Sequence, residues 1–261
     1  EENDLLDKTE YTQIALYVTE IAQLADMVEQ GLTYDAAIGL SLGEYGALVD
    51  SGVISFEDGI KLIKKRAEIM DSAISPEEGS MMAILKLSPE KVEELIKRSS
   101  EFGLVEGANY NCPGQLVVAG EKKAVEKVKE LALENKARRV IALNTSGPFH
   151  TSLLKEASLA LKERFKKETF HEMKIPVIFN TLGHEIEDQS IPEILEKQVM
   201  SPVYFEKSIR YMINQGVDTI IEVGPGKVLS GFVRKIDRSI QLYQIEDMES
   251  LKKTVKALKG E

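Results

Sequence analysis

Apolar and polar positions follow two different periods along this chain, and the change of period divides it. Between Gly79 and Gly147 the pattern predicts a strand at Ser80–Leu87 and a helix opened by Ser88-Pro89, with proline at a first-turn position that needs no N–H. Apolar strands follow around Leu104–Val105 and Gln115–Ala119, then a helix over Lys122–Glu134 and a strand at Arg139–Leu143. That order, βαββαβ, is the split ferredoxin-like arrangement. On either side, short apolar runs (Ala36–Gly39, Pro176–Phe179, Thr219–Val223) alternate with helical segments, as in a parallel sheet covered on both faces. No repeat or Pro/Ser-rich linker strings one unit after another, so the second lobe is expected as an insertion. The expected division is an α/β large domain from 1–78 and 148–261, and a ferredoxin-like small domain over 79–147.

One helix carries a charge on its apolar side. Ser55-Phe56-Glu57-Asp58 is a capping-box-like start, and Phe56, Ile60, Ile63, Ala67, Met70 and Ile74 follow at helical spacing. Leu62, Ile69 and Ala73 widen this stripe, and at 100° per residue Arg66 falls inside it, while Lys61, Lys64, Lys65, Glu68 and Asp71 fall opposite. An unpaired buried charge is costly, so Arg66 needs an anion: a protein carboxylate, or a substrate carboxylate gripped by the guanidinium fork.

The strongest local motif is Gly39-Leu40-Ser41-Leu42-Gly43, between the apolar run Ala36-Ala37-Ile38 and a helix over Glu44–Asp50. Strand, G-x-S-x-G and helix describe a nucleophile elbow, in which a tight turn exposes the serine hydroxyl above an α/β-hydrolase-like parallel sheet. A serine needs a base. His150, in Ser146-Gly147-Pro148-Phe149-His150-Thr151, lies where the inserted lobe rejoins the large domain and a helix (Ser152–Lys166) is expected. The positive end of that helix would keep the imidazole neutral. His171 and His184 sit in polar, loop-like stretches and are read as surface residues.

Composition narrows the chemistry. In 261 residues, 43% apolar and 29% charged, there is one cysteine, Cys112, and no metal-ligand spacing among the three histidines, so neither a disulfide nor a metal is expected. No run of apolar residues is long enough to span a bilayer, and the acidic opening EENDLLDKTE is not a signal peptide, so a cytoplasmic protein is expected. The formal charge of −10 argues against nucleic acid.

Taken together, Gly39–Gly43, Arg66, Asn111-Cys112-Pro113-Gly114-Gln115, Gly147–His150 and Gly224-Pro225-Gly226-Lys227-Val228-Leu229 resemble the malonyl-CoA:acyl carrier protein transacylases of fatty-acid synthesis. The resemblance runs from Thr12-Gln13 to about Val233, with several motifs in matching order. It implies that Ser41 is the acylated nucleophile, His150 its base and Arg66 the clamp on the malonyl carboxylate. Gln13 and Asn111 would line the site, the Leu42 N–H would be one oxyanion donor, and Phe149 would accompany preference for malonyl over branched units. A backbone carbonyl near Ser201-Pro202-Val203 would orient the histidine in place of a third acid. The implied partners are malonyl-CoA and acyl carrier protein, with no cofactor beyond the coenzyme A of the substrate. A monomer is expected, and Lys61, Lys64, Lys65, Lys227, Arg234 and Lys235 could meet an acidic carrier.

The sequence departs from the family at three places. Leu40 stands where many relatives have histidine, and Ile14 replaces a proline. The family also begins with a strand running into a Gly-Gln-Gly-x-Gln loop that gives the second oxyanion donor, a segment not found in these 261 residues. Neighbouring strands are therefore expected to show unpaired backbone along a slot. Two other readings stay open: a serine esterase or thioesterase, against which Arg66 weighs, and an inactive fragment that binds carrier protein.

Overall fold

The computed structural model describes Leu6, residues 8–73 and residues 78–260, so Ile74 of the predicted stripe lies outside the described residues. The chain opens with α1 (Thr9–Glu29), β1 (Ala37–Ile38), α2 (Gly43–Asp50) and α3 (Phe56–Ala73). The next stretch contains β2 (Gly79–Leu85), α4 (Pro89–Ser99), β3 (Val105–Cys112), β4 (Gln115–Glu121), α5 (Lys122–Glu134) and β5 (Arg139–Ala142). Then come α6 (Lys155–Phe165), β6 (Val177–Ile178), α7 (Ile191–Gln198), α8 (Phe205–Asn214), β7 (Thr219–Val223), α9 (Val228–Ile236), β8 (Gln241–Ile245) and α10 (Met248–Lys259).

The inserted stretch forms one antiparallel sheet in the order β3-β4-β2-β5, which is the ferredoxin-like order for a βαββαβ unit. Helix α4 starts as expected: Ser88 caps it by accepting from Lys91 N, with Pro89 in the first turn. Along β2 the side chains divide with period two. Met82 and Ile84 join the core made with α4 and α5, while Met81 and Ala83 face the other way, into a smaller cluster with Ala108, Val117 and Ala119. Phe149, from the segment leading to His150, packs on that second cluster. β2 is thus covered on both faces, which explains why it reads as a continuous apolar run, whereas Ile141 on the edge strand β5 stays 44% exposed. β3 extends beyond the predicted Leu104–Val105 to Cys112, through register shifts at Gly107/Asn109 and Tyr110/Cys112.

The rest is α/β. The expected parallel pairing is present but divided: β1 pairs with β6 and β7 with β8, and among the described residues no ladder joins the two pairs. They share one apolar cluster through Ile38, Ile178, Ile220 and Leu242. A larger core joins α1, α2, α3, α6 and α7 through Tyr17, Leu48, Ile63, Leu161 and Leu195. No helix among the described residues is long and apolar enough to cross a membrane.

Candidate active site

The turn after β1 has the conformation that the motif demands. Ser41 has φ 54°, in the left-handed region that costs an L-residue roughly 1–3 kcal/mol. Gly39 is required by contact: a Cβ there would lie 1.9 Å from the carbonyl carbon of Gly43, whereas one on Gly43 would meet nothing. The strained turn is held from outside. Asn180, just past β6, accepts from Ser41 N at 2.6 Å through Oδ1 and donates Nδ2 to Gly39 O at 2.6 Å. It therefore ties both ends of the turn to the neighbouring parallel strand.

His150 also has positive φ, 62°, and its ring is turned onto Ser41. Nε2 lies 2.8 Å from Ser41 Oγ, and Nδ1 lies 2.9 Å from Gln198 O. A carbonyl can only accept, so Nδ1 carries the proton and the neutral ring presents Nε2 as the acceptor for the serine hydroxyl. The carbonyl at 2.9 Å belongs to Gln198, and the Ser201 backbone, in the stretch where the orienting carbonyl is expected, also bears on the ring. The source of the neutral state also differs from expectation. A short 3₁₀ turn, Ser152–Leu154, intervenes, and α6 begins only at Lys155, so no α-helix N-terminus starts beside the imidazole. Complete burial, reinforced by the positive charge of Arg66, holds the His150 pKa down at about 4.

Arg66 is 1% exposed, as its place in the α3 stripe predicts, while Lys61, Lys64 and Lys65 face solvent. Its Nη1 donates to Gln13 Oε1 at 2.6 Å, and its Nη2 lies 3.1 Å from Ser41 Oγ and 3.3 Å from Gln198 Oε1. The guanidinium carbon lies 5.2 Å from the centre of the Tyr45 ring. Every hydrogen-bond acceptor here is an amide or hydroxyl oxygen; among the described residues no carboxylate pairs with Arg66, and its buried Nε has no partner.

Gln13 is thus brought to the site, at the guanidinium. Leu42 opens α2 as its N-cap residue, and its N–H makes no hydrogen bond among the described residues, as an oxyanion donor requires. Leu40 packs half-buried on the cluster of Ile178, Val203 and Phe205, and Phe149 bridges the sheet cluster and the main core. Asn111 is 5% exposed on β3, and its Oδ1 has no partner among the described residues. No hydrogen bond ties it to Ser41, His150 or Arg66. His184 bonds to Glu185 O, and His171 pairs through its backbone N–H with Val53 O; neither joins the site.

Three residues central to this geometry were missed in the sequence. Asn180 and Gln198 are described above; the third is Glu44, 0% exposed in α2. Its Oε2 accepts from Asn180 N at 2.6 Å and its Oε1 from Gln198 Nε2 at 3.2 Å. Burial pushes the Glu44 pKa up to about 8, against the lowering influence of the Asn180 N–H, Arg66 and Gln198. Gln198 had a legible signal: it continues the apolar face of α7 with Ile194 and Leu195, as Arg66 does in α3.

Comparison with known proteins is consistent with this geometry. A family model described as an acyl transferase domain matches residues 1–256. The malonyl CoA-acyl carrier protein transacylase of Bacillus subtilis is 43% identical over 258 residues, covering 98% of this chain and 81% of that protein. A crystal structure of the enzyme of that name from Clostridium perfringens superposes with a TM-score of 0.95 at 46% identity, over 98% of this chain and 81% of that one. A malonyl-transacylase solved in complex with its type II PKS acyl-carrier protein superposes with a TM-score of 0.92 at 33% identity, over 98% of this chain and 82% of that one.

Proposed function

The chain belongs to the acyl transferase domain family, among the malonyl CoA-acyl carrier protein transacylases, and from that premise we propose how its residues carry a malonyl group from coenzyme A to a carrier-protein thiol. Ser41 Oγ attacks the thioester carbonyl while its proton passes to His150 Nε2, 2.8 Å away. The Leu42 N–H stabilises the developing oxyanion, and the carbonyl re-forms as the C–S bond breaks. The coenzyme A sulfur then takes the proton from His150, leaving malonyl-Ser41. In the second half-reaction the carrier thiol gives its proton to His150, its sulfur attacks the ester, and the proton returns to Ser41. The Nδ1–H bond to Gln198 O holds one tautomer throughout both halves. The reaction consists of acyl and proton transfers between these side chains, with coenzyme A as the leaving group, so the proposal requires no further cofactor.

The observation that carries the malonyl assignment is Arg66: a fully buried cation without a protein carboxylate among the described residues, 3.1 Å from the nucleophile. Malonate places its free carboxylate one methylene from the reacting carbonyl, which fits a clamp beside Ser41. A neutral ester offers that clamp no carboxylate, and this disfavours the esterase reading. Gln13 positions the guanidinium through Nη1, and Phe149, Leu40 and Asn111 are proposed to line the acyl and thioester path. The proposal keeps the cytoplasmic, monomeric setting and the domain limits at 79 and 147 expected from the sequence. Of the cations offered for carrier contact, Lys61, Lys65 and Lys227 already pair with Asp58, Glu68 and Glu246.

Arg66→Ala tests the assignment. The kcat/KM for malonyl-CoA should fall about 10- to 100-fold more than that for acetyl-CoA, as expected for a lost charge-assisted pair. An equal loss for both substrates would mean that Arg66 only holds the fold, and the malonyl reading would fail.

A further inference from the structure

Among the described residues, the mechanism above leaves a buried carboxyl unused. Glu44 is wholly buried, and among the described residues it pairs with no cation; an apolar residue of similar size would fill that place at lower cost. Each of its oxygens instead holds a residue that holds the site. Through Asn180 it reaches the backbone of the elbow; through Gln198 it reaches the clamp.

The second path sets an orientation. Gln198 Oε1 accepts from Arg66 Nη2 at 3.3 Å, while Nε2 donates to Ser41 O at 2.9 Å and Glu44 Oε1 at 3.2 Å. Turning the amide over would put N–H against the guanidinium donors and oxygen against the Ser41 carbonyl, so both of those contacts would become repulsive. Resting on the malonyl-clamp reading, we propose that Glu44 is a positioning residue for substrate selection: it fixes the Gln198 amide so that its oxygen holds Arg66 beside Ser41, with the guanidinium's charge left for the substrate. A carboxylate bonded directly to Arg66 would hold it as firmly but would compete with malonate. The interposed amide positions the guanidinium without occupying it with a charge.

The test is the ratio of kcat/KM for malonyl-CoA over acetyl-CoA in the wild type, Arg66→Ala, Glu44→Gln, Gln198→Met and the Glu44→Gln/Gln198→Met pair, alongside thermal melting. Glu44→Gln keeps the shape but gives up one acceptor, so the ratio should narrow about tenfold, beyond any loss shared by both substrates through Asn180. Gln198→Met should narrow it similarly, and the double variant no further, because both act along one path. A merely structural Glu44 would lower the melting temperature and both substrates' rates while leaving the ratio at its wild-type value; that result overturns the proposal. Should Glu44→Gln fail to fold, an unchanged ratio in Gln198→Met would overturn it equally. A wild-type ratio unaffected by Arg66→Ala would remove the clamp itself, and the proposal with it, which is a different outcome from an intact clamp indifferent to Glu44.

Discussion

The inserted sheet β3-β4-β2-β5 and the elbow between β1 and α2 lie in one chain but obey different rules. In the sheet, the local choices agree with the final structure: β2 alternates between two covered faces, Ser88 caps α4, and the helical faces packed on it are apolar. Around the elbow they do not. Ser41 and His150 both sit at positive φ, and Arg66, Glu44 and Gln198 are charged or polar side chains at buried positions. The insertion has its own positive-φ residues, Lys86 and Lys136, but they lie in turns between its elements; those of the elbow, with the buried polar side chains, meet in hydrogen bonds around Ser41, as expected where a fold accommodates a function. The difference teaches that the first region supplies walls and the second supplies chemistry, and that the two should respond differently to damage.

The largest effect should follow from the second region. His150→Ala removes the base and should lower malonyl transfer about 10²- to 10⁴-fold, measured by steady-state kinetics, with little change in melting temperature. Retained transfer would dissolve the distinction between the regions. In the sheet, Leu95→Ala opens a cavity in the core made with α4 and α5. It should cost about 2–5 kcal/mol in denaturant unfolding while leaving kcat near wild type below the transition. A large loss of kcat in the folded variant would show that the insertion does more than build a wall.

The smallest effect is a displacement on the pH axis. His150 is held near 4, below its ordinary 6.5, so the folded state keeps the ring neutral between those values while an unfolded chain takes up the proton. The acid limb of kcat/KM should therefore lie near pH 4 rather than 6.5, and the histidine's contribution to stability should decline as pH falls from about 6.5 towards 4. An acid limb at 6.5 would mean that the ring is more accessible than its burial indicates.

The same contrast explains what could be read from the chain. The insertion was legible because its apolar strand runs are bounded by turn and cap signals and its helices keep the 3.6 period, and α5 occupies the predicted Lys122–Glu134. Arg66 was legible because a charge inside an apolar stripe is costly enough to demand an explanation. Gln198 occupies the same kind of position in α7, but an uncharged amide is cheaper to bury and so carries a weaker signal. The Asn180 and Glu44 side chains act through contacts across 136 to 154 residues of sequence, which no local period reports. β3 was read short because Asn109 and Asn111 interrupt its apolar run, and the 3₁₀ turn at Ser152–Leu154 hid the true start of α6.

The mechanism rests on Ser41 carrying the malonyl group between two thiols. The direct measurement is the intact mass of the protein mixed with malonyl-CoA, then chased with the phosphopantetheinylated carrier protein, for the wild type and Ser41→Ala. The wild type should show a single malonyl adduct that disappears as the carrier gains it, and Ser41→Ala should show none. An adduct of equal rate and yield on Ser41→Ala, or one that only hydrolyses in the presence of carrier, would contradict that mechanism.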